Sequence, residues 1–409
     1  MNSNQGKVPA ETPQQNNETS KEFRDLKPKL IILLVMGGFG VMGGGLLAPA
    51  LPSLIEHFGI DEATVGLVLG IYTFAAALSL PFTGFLIDLL GRRITGIGCL
   101  LIDGLFGLLC TTAPNFTILL LFRFFQGIGI AGLIPVAMTV ISDWYQGSKR
   151  LKVIGFLSGT VSLSAVVVPF LGGVLAGIDW RYPFLVYGLS LILALLFFLF
   201  IPESQSEHIS ELLAVKAAKH LSSLRSALKL DEVKQVFKDC LVLYFMLYAA
   251  ITFLPLFLSG EYKLPDLFIG LAISITGFMG ALVASQSVRI NQIFKEGPKL
   301  FTGFILIGLS MVFIPIWLHG YQLVISLILF GTGMGIIQPA IYNRATTAGP
   351  EQLTGSIISL FNTVKFIGMT LAPVLLRFVY HYWSLEGVFF STGLLAAAWA
   401  LLSLVGTEE

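Results

Sequence analysis

The chain has 409 residues, a formal net charge of +1, 55% hydrophobic side chains and 12% charged ones. Soluble domains carry roughly a quarter charged residues, so this composition excludes a water-soluble core and places the chain in a lipid bilayer. With no basic cluster there is no sign of a nucleic-acid partner, and Cys99, Cys110 and Cys240 lie in or near apolar runs without metal-ligand spacing, so no metal or other cofactor is expected.

Residues 1–29 are polar and read as a disordered tail without the basic start, short apolar core and cleavage site of a signal peptide. A helix needs about 20 apolar residues to cross a bilayer. Twelve such runs follow, at residues 30–52, 63–87, 94–113, 116–142, 153–177, 183–201, 239–259, 267–288, 300–318, 322–345, 354–378 and 385–405. Their length and lack of strict alternation exclude barrel strands. The fold class is therefore all-α integral membrane, with six helices in 30–201, a hydrophilic linker at 202–238, six more in 239–405 and a short tail at 406–409. In the linker, Leu212, Leu213, Val215, Leu221, Leu224 and Leu228 recur roughly at helix-face spacing with lysines between, which predicts an interfacial amphipathic helix.

With the N-terminus inside, 20 of the 25 Lys and Arg residues fall on inner segments, Arg181, Lys263 and Arg377 fall on outer loops, and Arg123 and Lys365 stay within the membrane. This asymmetry predicts that both termini are cytoplasmic in the cell (inner) membrane.

The second half repeats the first at a shift of 204 residues. Gly66 meets Gly270, Gly127 and Gly129 meet Gly331 and Gly333, Pro135 meets Pro339, and Pro169 meets Pro373. Gly and Pro cost stability inside helices, so shared positions imply shared architecture. Two pseudo-symmetric bundles of six helices, related by an axis along the membrane normal, suggest alternating access: the halves rock about a central site and expose it to one side at a time.

Between the second and third runs stands Gly84-Phe85-Leu86-Ile87-Asp88-Leu89-Leu90-Gly91-Arg92-Arg93, whose charges are the only ones between Glu62 and Asp103. The fourth run carries Arg123-Phe124-Phe125-Gln126-Gly127-Ile128-Gly129, and the fifth carries Pro169-Phe170-Leu171-Gly172-Gly173. Twelve runs, a six-plus-six repeat and these motifs resemble the major facilitator superfamily over residues 30–405. The departures are Leu89, where the family usually has arginine, and Ser164 and Val168, where its drug/proton antiporter branch has glycines in the helix-5 motif. The resemblance implies a transporter whose helices 1, 4, 7 and 10 line a cavity.

Gly84, Asp88, Gly91, Arg92 and Arg93, with Asp143 at the inner end of helix 4, are candidates for a charge latch on the inner face. The alternative is that the arginines serve only as inner-face anchors. Gly84 would allow a neighbouring helix close, and Asp88 would accept from arginine or helix N-termini. The counterpart in the second half, Val288 to Gly297, has Gln292 in place of Asp88, so the latch is expected in the first half only.

Ionisable residues at membrane depth are functional by default. Asp103 and Arg123 fall at similar depth on neighbouring helices and are expected to form an ion pair, either a proton-coupling element centred on Asp103 or a permanent neutralising pair. Arg123 and Gln126, with Tyr248, Gln338, Tyr342, Asn362 and Lys365 of the second half, are the candidate substrate-binding residues; Tyr244 and Tyr248 are spaced by four, as are Gln338 and Tyr342. The apolar first run, with its Gly37–Gly45 glycine cluster, carries no acid. If Asp103 points elsewhere, Arg123 and Lys365 leave the cavity net positive, which favours neutral or anionic cargo.

No zinc-binding His pair, phosphate loop or Ser/His/Asp set is present, so an enzyme is not expected. The leading expectation is proton-coupled efflux of a small organic molecule or drug by a monomer whose partners are cargo, protons and lipid. Uptake of an organic anion or sugar-like solute by symport or uniport, and lipid flipping, remain alternatives.

Overall fold

The computed structural model describes residues 28–203, 222–316 and 320–405. The expectations for the N-terminal tail, for most of the linker including Leu212, Leu213, Val215 and Leu221, and for residues 406–409 lie outside the described residues. At the linker's described end Ala227 is buried, Leu224 half-buried and Leu228 exposed.

All regular structure among the described residues is helical. Nine helices are long and apolar enough to cross a membrane, or ten when the bent pair Pro28–Phe39 and Met42–Phe58 counts as one span. Two of the nine are interrupted by a single non-helical residue, Gly91 (φ 82°) in one and Ser384 (φ 67°) in the other. Counting the pieces on either side separately gives twelve segments. They are α1 (the bent pair), α2 (62–90), α3 (92–112), α4 (Phe116–Trp144), α5 (Gly147–Ala176), α6 (Tyr182–Phe200), α7 (Asp231–Gly260), α8 (Asp266–Ala284), α9 (Glu296–Phe313), α10 (Gly320–Thr347), α11 (351–383) and α12 (385–404). Gly91 sits in the left-handed half of φ space, where a Cβ is strained, which is why glycine stands at this corner.

Helix ends follow local chemistry. The Asp61 carboxylate accepts from the backbone N–H of Thr64 at 2.7 Å to start α2, and Asn115 accepts from Ile118 N–H at 3.0 Å to start α4. α7 begins at Asp231, eight residues before the apolar run, because the polar turns ahead of Asp239 continue the same helix.

Lipid is as apolar as leucine, so helices in a bilayer associate through close packing of small residues and through polar contacts rather than hydrophobic burial alone. The repeat glycines show this at matched positions. A Cβ on Gly127 of α4 would strike the Tyr72 carbonyl of α2, and one on Gly331 of α10 would strike the Thr276 carbonyl of α8. Gly129 lies against Cys99 and Asp103 of α3, and Gly333 against Gly303 and Ile307 of α9. Each contact maps onto its counterpart at the same shift of 204. The two halves are thus one architecture used twice.

The halves meet unevenly. One hydrophobic core crosses between them, joining Leu51, Val65 and Leu69 of the first half to Phe253, Leu254 and Ile269 of the second. A separate core, including Leu33, Met36, Leu80, Val140 and Leu157, belongs to the first half alone, with Phe366 of the second half at its margin. The first core runs on through the second half to Val233, Leu300 and Ala345 at its Lys/Arg-rich end; the second core lies within the first half.

Candidate functional site

Four hydrogen bonds join the halves among the described residues. Ser53 donates to Asp266 (2.8 Å), Tyr380 to Glu62 (2.7 Å) and Ser274 to the Val166 carbonyl (2.7 Å), while Thr73 and Thr370 share a bond of 2.9 Å. All lie in the half of the membrane away from the Lys/Arg-rich face, or near its middle. The repeat marks meet there across the interface: Gly66 and Gly70 pack on Pro373, and Gly270 packs on the Pro169 carbonyl. Gly172 abuts the Leu46 carbonyl of α1, and Gly173 abuts Gly270 and the Asp266 carbonyl of α8. The Pro169, Gly172 and Gly173 motif therefore builds the closure of that face. Toward the Lys/Arg-rich face no hydrogen bond or ion pair joins the halves among the described residues. The halves are closed on one face and parted on the other.

The first-half charges are sealed. Arg123 and Asp103 are fully buried, and their expected direct ion pair is not formed. Gln126 stands between them: Arg123 Nη1 donates to Gln126 Oε1 (2.8 Å) and Gln126 Nε2 donates to Asp103 Oδ1 (3.2 Å). The second carboxylate oxygen accepts from Ser190 on α6 at 2.7 Å, so Asp103 points away from the interface between halves. The rest of the guanidinium is taken by carbonyls, Nε to Val68 (3.2 Å) and Nη2 to Gly43 (2.9 Å), with the Tyr72 ring 4.0 Å from its carbon. Two charges one residue-length apart are thus neutralised through an amide rather than by contact. The Gly43 carbonyl lies where α1 bends by 51° near its glycines, while the Val68 carbonyl, within the helix from Leu67, takes the guanidinium as an additional donor. Sequence reasoning missed Ser190 and Tyr72; each is a polar side chain on a largely apolar helix face.

The second-half residues form a separate wall. Gln338 of α10, exposed, donates to the Tyr244 hydroxyl of α7 at 2.9 Å. The Lys365 ammonium lies 5.7 Å from the Tyr244 ring and 5.2 Å from the Phe366 ring. Tyr342 is 41% exposed, one turn further along α10 toward the parted face, and rests edge-on against Phe361. Asn362 is half-buried and donates one amide N–H to the Ile358 carbonyl of its own helix, which leaves its second N–H and its Oδ1 for other partners. Tyr248 does not join this wall. It is buried one turn deeper, its hydroxyl against Gly44 of α1 in the closed region, and Tyr244 takes the place expected for it. The four-residue spacing of the two tyrosines put both on one face but left open which one faces the cleft.

At the Lys/Arg-rich face, Arg92 Nε pairs with Asp143 Oδ2 at 2.9 Å, a contact within the first half. Arg93 reaches Glu203 (3.9 Å) and donates to the Phe198 carbonyl, with its guanidinium 4.5 Å from the Phe198 ring. Asp88 is exposed with no hydrogen bond or ion pair to a described residue, and a Cβ on Gly84 would meet nothing within 4 Å. The second half does carry a charged corner, contrary to expectation. Glu296, the counterpart of Arg92, lies 3.6 Å from Arg344, so the same helix corner is bridged with the signs exchanged. Arg344 also pairs at 2.8 Å with Asp239, which is fully buried and accepts from Trp399 Nε1 at 3.0 Å and Gln235 at 3.4 Å. Asp239 fell at the edge of an apolar run and was read as a boundary; applying the repeat shift to Arg92 would have found Glu296.

Comparison with known proteins agrees with this architecture. The Major Facilitator Superfamily profile matches residues 33–373, and the chain belongs to that family. It is 28% identical over 350 residues to the bacillibactin exporter of Bacillus subtilis (strain 168), covering 81% of this chain and 85% of that protein. It is 26% identical over 384 residues to the class H tetracycline resistance protein of Pasteurella multocida, covering 87% and 90%. Among solved structures, the bacterial homolog of the human lysosomal transporter Spinster, in an inward-facing and unoccupied conformation, superposes with a TM-score of 0.70 at 17% identity, over 92% of this chain and 94% of that one. At that identity the likeness is one of fold.

Proposed function

We propose that this transporter exports a small organic molecule by alternating access, loading cargo from the Lys/Arg-rich face, which is cytoplasmic. The observation that carries this reading is the one-sided contact between the halves: polar bonds and helix-on-helix packing close one face, while Gln338 and Tyr342 of the second-half wall stay exposed. Efflux relatives at 26–28% identity favour export over uptake. In the outward-open state the parted ends come together, and Gly84, Asp88, Gly91, Arg92, Arg93 and Asp143 then act as the latch.

Proton antiport is the proposed energy source, with Asp103 as carrier. Its charge is linked through Gln126 and Arg123 to the bend of α1 at Gly43 and to α2 at Val68. Neutralising Asp103 weakens the hold on Gln126 and, through it, on a guanidinium that ties two helices of the moving half.

Spin labels at Gly159→Cys and Ser285→Cys report the parted face, and labels at Ile178→Cys and Lys263→Cys report the closed one. Cargo and a proton gradient should shorten the first distance while lengthening the second. Distances that never exchange sink the alternating-access reading. Unchanged coupled flux in Asp103→Asn proteoliposomes sinks Asp103 as the carrier.

A further inference from the structure

The second-half wall has a charge without a counter-charge. Among the described residues, ion pairs engage Arg92, Arg93, Arg181, Lys234 and Arg344, and Lys365 takes part in none. Its ammonium stands over two aromatic rings, Tyr244 and Phe366, which stabilise a cation without neutralising it. The two acids fully buried at membrane depth are both committed elsewhere. Asp103 faces Ser190 and Gln126 inside the first half, and Asp239 is held by Arg344 and Trp399. An uncompensated cation in a low-dielectric wall raises the local concentration of anions and binds them more strongly than it would in water.

The groups around Lys365 sort further. Gln338 is exposed and supplies a carbonyl and amide protons, Tyr342 offers a hydroxyl on a half-open ring, and Phe366 sits where the wall meets the first-half core. That set fits a flat, apolar body with one anionic group. A free lipid headgroup or inorganic anion would leave the rings without a partner.

From this we infer that the cargo is an organic anion, an aryl or conjugated carboxylate or phenolate, whose anionic oxygen is received by Lys365 and whose ring lies against Tyr342 and Phe366, with Gln338 and Tyr244 as hydrogen-bonding partners. The inference rests on the transporter reading and deepens it.

The test uses the full chain in nanodiscs and two probes of one shape, salicylate and its neutral isostere salicylamide, by titration calorimetry. Wild type should bind salicylate at least about tenfold more tightly than the amide, the scale of one charge-assisted hydrogen bond. Lys365→Gln should lose that preference while keeping salicylamide affinity, and Lys365→Arg should keep most of it. A wild type that binds neither probe, or both equally, overturns the inference, and so does a Lys365→Gln protein that retains the preference. The wild-type ratio needs no variant to fold. The spin-label distances fail separately: labels that exchange without anion preference leave a transporter of other cargo, and anion preference without exchange leaves a binding protein.

Discussion

The same contact is built twice in this molecule and filled with opposite chemistry. Where the first half places Asp103, Arg123 and Gln126, the second half, 204 residues on, places Ile307, Leu327 and Phe330, all buried. Where the second half places Tyr244, Gln338, Tyr342 and Lys365, the first half places Gly40, Ile134, Met138 and Val161. Even the touching pairs correspond: Gln338 bonds Tyr244, and Ile134 packs on Gly40. The backbone does not require either polar set, since each position has an apolar twin that packs in the same place. One half therefore carries a sealed polar core and the other a more open polar wall, which the proposed mechanism assigns to energy coupling and to cargo respectively.

The largest effect should come from breaking the sealed set. Arg123→Leu alone strands Asp103 and Gln126 in a dry interior, and removing one partner from a buried charge network costs about 3–5 kcal/mol. A steep fall in the detergent melting temperature and loss of transport are expected. Installing the second half's residues together, as Asp103→Ile, Gln126→Phe and Arg123→Leu, should recover much of the stability, because apolar replacement of a whole buried network is often neutral. Transport should stay lost. A triple variant that transports would remove the first-half cluster from the mechanism.

The second comparison is between the two charged corners. Arg344→Ala leaves Asp239, fully buried, with only Trp399 and Gln235, so a loss of about 3 kcal/mol in unfolding free energy is expected. Equal losses from Arg344→Ala and Asp143→Ala in denaturant unfolding would show that the buried anchor is not what separates the corners.

Much of this was legible before any coordinates. Twelve apolar runs, the 204-residue shift and the motifs at 84–93 and 123–129 follow from helix length and from glycine and proline, which have few uses inside helices other than close approach and bending. The site was legible only in part. Depth along a helix is read from residue number, so Asp103 and Arg123 were placed together correctly; rotation about the helix is not, so the inserted Gln126 amide was missed. Asp88 and Gly84 stand exposed in this conformation, so the motif that singled them out in the sequence has no contact here to read it against.

A smaller effect should follow from loosening the closed face. Tyr380→Phe removes one hydrogen bond to Glu62, a net change of about 1 kcal/mol. That shifts the balance between the two access states by roughly fivefold toward the open outer face, read from the ratio of spin-label distances across Ile178 and Lys263. No change in the ratio would place the closure in the glycine and proline packing of Gly66, Gly270, Pro169 and Pro373 rather than in its polar bonds.

The smallest change tests whether the sign of a corner matters. Arg92 and Asp143 are partly exposed, and such pairs contribute about 0–1 kcal/mol. Asp143→Ala should therefore barely move the melting temperature. The exchange Arg92→Glu with Asp143→Arg copies the polarity that Glu296 and Arg344 already use in the second half. If the corner only fastens two helices, the exchanged protein should transport like wild type while each single reversal, placing like charges together, is impaired. If the first-half corner must present positive charge to the arriving second half when the halves close, the exchange itself should fail, slowing turnover while leaving melting temperature and cargo affinity unchanged. Stability and turnover thus respond differently to one pair of substitutions, and the split between them assigns the corner to anchoring or to gating.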